Sequence, residues 1–359
     1  MIILLVLVGI ALFSFKKMGQ PVEESIMLDK LCTKELKGIA IIFVILGHMS
    51  IDKHIFITPN LVYAGAWGVT LFLILSGFGI TKSYLNNGMN FAKLIGRIKS
   101  ILIPYSIVTL VWIIIDCLYL DKTYSAKTII LVLLGIDGRR SIDASMWYIS
   151  IILFWYIIFY ITFRLQLKNY IKVLLLFCFS YVIYRGHFDS YLLDLSSNWQ
   201  LSAFSFPVGV SLSLYSEEIM DYLHKKNIKY LFLLLAVVLF LLFIILVKYN
   251  SASLKCYILT NTSISLFFIM IVVLLRYYNF TSKFFEFIGS ISYEIYLFEG
   301  VFMWKYSLLR IFQSKLISFT LYFGVILLIS FLYNKLTKNI KIDVRRKFKV
   351  SGVSEANLN

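Results

Sequence analysis

Charge is scarce in this sequence. Only 15% of its 359 residues are Asp, Glu, Lys or Arg, where a soluble domain carries roughly 25%. With 60% hydrophobic residues and a mean hydropathy of +0.84, that shortage excludes an ordinary soluble protein and points to burial in a membrane along most of the chain. Cysteine is scarce too: Cys32, Cys117, Cys178 and Cys256 stand far apart with no paired spacing. A disulfide framework and a zinc site are therefore not expected, and no metal is assigned. There is no Pro-rich or Gly/Ser-rich linker, no internal repeat and no stretch that reads as a soluble domain. Acidic residues number 19 against 35 basic ones, a net charge of +16. The basic residues cluster in short segments between apolar runs, which is membrane topology rather than a nucleic-acid surface.

What is present is a series of apolar runs. They lie near 1–15, 37–51, 62–80, 101–120, 146–163, 171–184, 200–216, 230–247, 256–275, 284–303 and 316–334. The fold expected is an all-α polytopic bundle of about eleven transmembrane helices, several short against the roughly 20 residues a bilayer requires. The run 128–136 is too short to cross and is expected at an interface. Residues 1–20 read as an extra, uncleaved N-terminal helix, because the charges Lys16 and Lys17 follow the apolar stretch rather than precede it. Placing the N-terminus outside puts most basic residues in cytoplasmic loops and in the tail 335–359, as expected for a multi-pass plasma-membrane protein.

Five segments hold residues that can do chemistry. His48 lies deep in the apolar run that Lys37 opens, about 17 Å along the helix axis from it at 1.5 Å per residue. An intramembrane ionisable side chain is expensive and is by default a functional candidate. Imidazole can also take and return a proton near neutral pH. The plain alternatives are a snorkelling Lys37 and a structural His48 bonded to a neighbouring helix. Gly47 leaves room for another backbone beside the histidine. The run Trp67 to Gly79, opened by Gly65 and Gly68 and closed by Ser76, Gly77 and Gly79, reads as close helix packing rather than a serine nucleophile. The segment holding Arg97 and Lys99 is either a topology signal or a cationic site for a phosphorylated donor. In the outer loop with Arg139, Arg140, Asp143 and Trp147 the arginine pair runs against the orientation bias: it could meet an anionic or sugar-bearing acceptor, or be neutralised by Asp137 and Asp143, with Trp147 an ordinary interfacial aromatic. Glu294 and Glu299 sit five apart in an apolar run. Glu299 either orients His48, as a carboxylate orients imidazole in hydrolytic triads, or pairs with Lys305. His54, His187 and His224 are expected in solvated loops.

In their order these segments resemble the acyltransferase-3 family of integral-membrane acyltransferases over about residues 36–334. The matching features are the basic residue Lys37 followed by His48, the run Gly68 to Phe78 ending in Ser76-Gly77-Phe78, the stretch Arg97 to Pro104, the group Met146 to Ile149, and Ser292 to Leu297. Such proteins transfer an acyl group, usually acetyl, from acyl-CoA to glycan hydroxyls in lipopolysaccharide, capsule, exopolysaccharide or peptidoglycan. The resemblance makes His48 catalytic, as general base or transient acyl carrier. Lys37, Arg97 and Lys99 become ligands of the donor phosphates. It implies acetyl-CoA as co-substrate with no permanent cofactor, a glycan or lipid-linked glycan as acceptor, and contact with membrane lipid and the polysaccharide-assembly machinery. Three positions depart from the pattern: Lys37 where arginine is usual, Ser100 where a second arginine is expected, and Glu299 where histidine is common. From the residues alone, a transporter of a glycan or lipid-linked intermediate remains the rival, although transporters often show repeated halves.

Overall fold

A computed structural model describes the chain except residues 1–8, 10–12, 18–26, 52–58, 138–141, 187, 190–193, 196, 225–227, 249–252 and 355–359. Helix dominates, as the composition requires. Strand β1 (Phe15–Lys17) is followed by helices α1 (Lys30–Ile51), α2 (Ala64–Asn87), α3 (Phe91–Tyr119), α4 (Ala126–Leu133), α5 (Trp147–Arg164) and α6 (Asn169–Arg185). Next come the short strands β2 (Phe188–Asp189) and β3 (Asp194–Leu195), then α7 (Ser197–Ser202), α8 (Ser205–Leu214), α9 (Ser216–His224), α10 (Ile228–Lys248) and α11 (Leu254–Tyr277). Strand β4 (Phe280–Ser282), helices α12 (Lys283–Ser290) and α13 (Ser292–Gly300), a π-helical turn (Val301–Lys305) and α14 (Lys315–Ser354) complete the order. Both strand pairs are antiparallel: β1 lies on β4 with Phe15 opposite Ser282, and β2 lies on β3.

Among the described residues, five helices are long and apolar enough to cross a membrane: Leu61–Asn87, Phe91–Tyr119, Trp147–Arg164, Leu254–Tyr277 and Lys315–Lys338. The expected count of eleven is not reached by this measure. Two of the expected spans are interrupted. The run 200–216 is split into α7 and α8, where Pro207 has no N–H to continue a helix from the preceding turn. The run 284–303 is split at Ile291, where the Ser290 and Ser292 hydroxyls donate to the carbonyls of Phe287 and Gly289. Most of the expected span 1–15 lies outside the described residues, and its end is the strand β1. The stretch 128–136 forms the eight-residue helix α4, too short to cross, as expected. His54 and His187 lie outside the described residues, while His224 closes helix α9 rather than standing in a loop.

The chain forms two compact units. One comprises Met1–Lys82 and Phe204–Leu327, the other Ser83–Ala203 and Leu328–Asn359. In the first, α1 is the central element, and its apolar side meets α2 and α11 through Leu36, Ile39, Ala40, Leu71, Ile74 and Val272. The second holds a packed aromatic group in which Phe159 and Phe163 stack at 4.0 Å beside Tyr84. There the Lys172 ammonium lies 5.2 Å from the Phe163 ring and 5.7 Å from that of Tyr84. Tyr333 ties α14 to α3 by donating to the Pro104 carbonyl at 2.8 Å.

Candidate active site

Helix α1 is held at its base before it delivers His48. Asp29 caps it, accepting from the Cys32 N–H at 2.6 Å, and its second oxygen takes the Arg276 guanidinium at 2.5 Å. Burial pushes the Asp29 carboxyl up, but the Cys32 amide and Arg276 outweigh it and hold it below the ordinary carboxylate value. One turn on, buried Glu35 accepts from the Thr281 hydroxyl and the Ser282 N–H, both at 2.6 Å, fastening α1 to the strand that starts α12. Then the packing becomes glycine-limited. A Cβ on Gly38 would stand 2.3 Å from the Phe285 carbonyl oxygen, and one on Gly289 would stand 1.7 Å from that of Lys34. Farther along, a Cβ on Gly47 would fall 2.2 Å from the Gly65 nitrogen. The close approach expected at Gly47 is therefore present, and it fixes the height and rotation of the next residue, His48. In the run Trp67 to Gly79 the packing reading holds as well: Gly77 meets the Phe206 backbone of α8.

His48 Nδ1 lies 2.7 Å from Glu299 Oε1. The carboxylate is fully buried, while the imidazole keeps 17% of its side-chain surface exposed. The Glu299 backbone is itself tied down, its carbonyl accepting from the Tyr322 hydroxyl at 3.2 Å. Oε2 is buried with no hydrogen-bond partner among the described residues. With Glu299 ionised and therefore only able to accept, the tautomer that satisfies the contact carries its proton on Nδ1 and its lone pair on Nε2. Trp304 packs on the imidazole with ring centroids 4.7 Å apart and planes inclined by 54°. The result is an oriented, partly desolvated imidazole, an arrangement able to take a proton from a hydroxyl.

Of the residues singled out from the sequence, the structure brings His48 and Glu299 together. Lys37 is half-buried on the same helix, three turns before His48. Arg97 and Lys99 belong to α3 in the other unit, Arg97 half-buried and Lys99 exposed, with the Ser100 hydroxyl donating to the Arg97 carbonyl at 2.7 Å. Arg139 and Arg140 lie outside the described residues. Trp147 opens α5 and lines a solvent-open concavity with Tyr105, Trp112, Asp137, Asp143 and Ser150. Glu294 is buried on α13, five residues before Glu299. No group of three or more His, Cys, Asp or Glu able to hold a metal occurs among the described residues.

Sequence reasoning missed Trp304 and Arg276. Trp304 stands five positions after Glu299, a spacing that an α-helix would turn to another face. Arg276 is 6% exposed and bound to Asp29, where a basic residue between apolar runs reads from sequence as a topology charge. Its signal was a lone arginine ending a long apolar helix, a pattern shared with many interfacial charges.

No curated protein and no solved structure matches the chain. A family model described as an acyltransferase domain matches residues 36–335, which takes in α1 with His48, α13 with Glu299, and the π-helical turn. That span covers most of the chain, and with it this helical membrane protein belongs to the acyltransferase-3 family.

Proposed function

We propose that this membrane acyltransferase moves an acyl group, acetyl in the first instance, from acyl-CoA to a hydroxyl of a cell-surface polysaccharide or its lipid-linked precursor. The observation that carries the reading is the 2.7 Å contact between His48 Nδ1 and the buried Glu299 carboxylate. His48 Nε2 takes the proton of the acceptor hydroxyl as its oxygen attacks the thioester carbonyl. The tetrahedral intermediate then collapses, the C–S bond breaks, and the imidazolium returns the proton to the departing CoA thiolate. Atoms and charge balance without a metal or a redox partner. Glu299 keeps the ring in the tautomer this requires and stabilises the imidazolium that forms.

Lys37, Arg97 and Lys99 are the proposed contacts of the CoA phosphates, from the cytoplasmic side of a plasma membrane. Lys37 acts there as a point charge and Arg97 as a bidentate donor. The loop with Arg139 and Arg140, together with Trp147, is the proposed acceptor contact. The concavity that Trp147 lines carries a second indole, Trp112, and the carboxylates Asp137 and Asp143, which suit a sugar ring better than a phosphate.

The test compares surface polysaccharide from cells with the intact gene, a deletion, and His48→Gln, reading O-acetyl signals by proton NMR before and after mild base. Loss of acetyl in both altered strains, with His48→Gln protein at normal membrane levels, supports the reading. Persistent acetylation with loss of surface glycan in the deletion replaces it with an exporter.

A further inference from the structure

Regular α-helical geometry would keep Glu299 and Trp304 from sharing a partner. At 3.6 residues per turn each residue rotates by about 100°, so positions five apart point about 140° away from each other. Yet both reach His48: Glu299 through its carboxylate at 2.7 Å, Trp304 through its ring at 4.7 Å between centroids. The backbone explains it. Helix α13 passes at Gly300 into the π-helical turn Val301–Lys305, closed by the Tyr306 N–H donating to the Val301 carbonyl at 3.1 Å. A turn closed from i to i+5 takes in one more residue than an α turn, and it carries position 304 back towards the side of position 299. Ser307, at φ +50°, then ends the segment. Such turns are rare and interrupt regular helix packing. Where they occur inside helices they are frequent at functional sites.

We propose that this π-helical turn closes His48 between a carboxylate and an indole, and that Trp304 is a positioning residue for acyl transfer. The inference rests on the reading of His48 as the base. A hydrogen bond at Nδ1 fixes the distance to Glu299 but does not by itself fix the rotation of the imidazole about the bond axis. The Trp304 ring, 4.7 Å away and inclined by 54°, limits that rotation and so holds the direction of Nε2. The indole also shields part of the imidazole, and the 17% of the side chain that stays exposed is the approach for a hydroxyl. Trp304 is itself partly exposed, as a residue at the rim of the site must be.

The experiment uses the full chain, purified in lipid nanodiscs, with Trp304→Leu and Trp304→Phe. Two quantities are read: kcat and KM with acetyl-CoA, and the rate at which diethyl pyrocarbonate modifies His48, resolved by peptide mass spectrometry against the other three histidines. Trp304→Leu should lower kcat by roughly 10², the cost of misdirecting a reacting group by about 1 Å, with the donor KM unchanged. His48 modification should become several-fold faster. Trp304→Phe keeps an aromatic face and should retain most of the parent behaviour in both measurements. Parent kcat and parent labelling in Trp304→Leu would overturn the inference while leaving the acyltransferase reading intact. Losses in Trp304→Phe as large as in Trp304→Leu would also overturn it, since a ring face would then not be what matters. If the parent transfers no acyl group but its labelling depends on the indole, the functional reading fails and the positioning contact stands.

Discussion

Replacing Glu299 with glutamine keeps the length and nearly the volume of the side chain while removing its charge and its restriction to accepting. The carboxylate holds Nδ1 at 2.7 Å and is fully buried, so no water can take its place. A carboxamide can turn its NH₂ towards Nδ1 instead. The ring then accepts at Nδ1 and carries its proton on Nε2, the atom that must be bare to act as base. It also loses the negative charge facing the imidazolium formed in the transition state. Loss of general-base help costs roughly 10²–10⁴ in rate, and loss of tautomer control in serine triads reaches about 10⁴. For Glu299→Gln the expected fall in kcat is therefore about 10³, equivalent to about 4 kcal/mol at 1.36 kcal/mol per tenfold. The assay follows CoA thiol release from acetyl-CoA with purified protein and an acceptor glycan. The donor KM should stay at the parent value, because Glu299 touches the base and not the CoA. Residues acting as one unit are not additive, so Glu299→Gln combined with His48→Gln should be no slower than His48→Gln alone. A parent-like kcat for Glu299→Gln would refute the reasoning, as would a loss expressed only in KM.

Other outcomes follow from the way α1 is held. Gly289→Ala forces a Cβ to 1.7 Å from the Lys34 carbonyl oxygen, and the cost should reach or exceed the roughly 1–3 kcal/mol of overpacking. It should appear as a lower Tm in detergent or as reduced accumulation in membranes. Gly79→Ala, with nothing within 4 Å of the new atom, should leave both unchanged. Arg276→Met leaves the Asp29 carboxylate without its guanidinium and should cost roughly 3 kcal/mol, part of it recovered by adding Asp29→Asn. Asp29 is held below its ordinary value, so its stabilisation is present above about pH 4 and disappears as pH falls through its lowered value. The Tm of the parent should therefore drop on acidification in that range, with a smaller drop in Asp29→Asn.

Much of the site was legible because ionisable groups in apolar runs are few. His48 and Glu299 stood out by the cost of burying them, and the only question was whether they met each other or other partners. Glu299 had Lys305 as a competing partner six residues away, and no sequence pattern could choose between the two. Trp304 was illegible for a geometric reason, since its spacing from Glu299 is wrong for an α-helix and the π turn is not encoded by periodicity. The interruptions at Ile291 and before Pro207 were hidden in the same way: apolar runs report hydrophobicity, whereas serine hydroxyls and a missing N–H decide where the backbone stops.

What the sequence determined alone was the solvent and the class. Charge shortage and long apolar runs require a membrane, and the ordered motifs from Lys37 to Leu297 place the chain in its family. Only the tertiary structure decided that Glu299 faces His48, that Trp304 covers the ring, and that Arg276 anchors the base of α1. The reason is physical. Composition and period depend on each residue's own chemistry, while a 2.7 Å contact between residues 251 positions apart depends on how closely Gly38, Gly47, Gly65 and Gly289 let three helices approach.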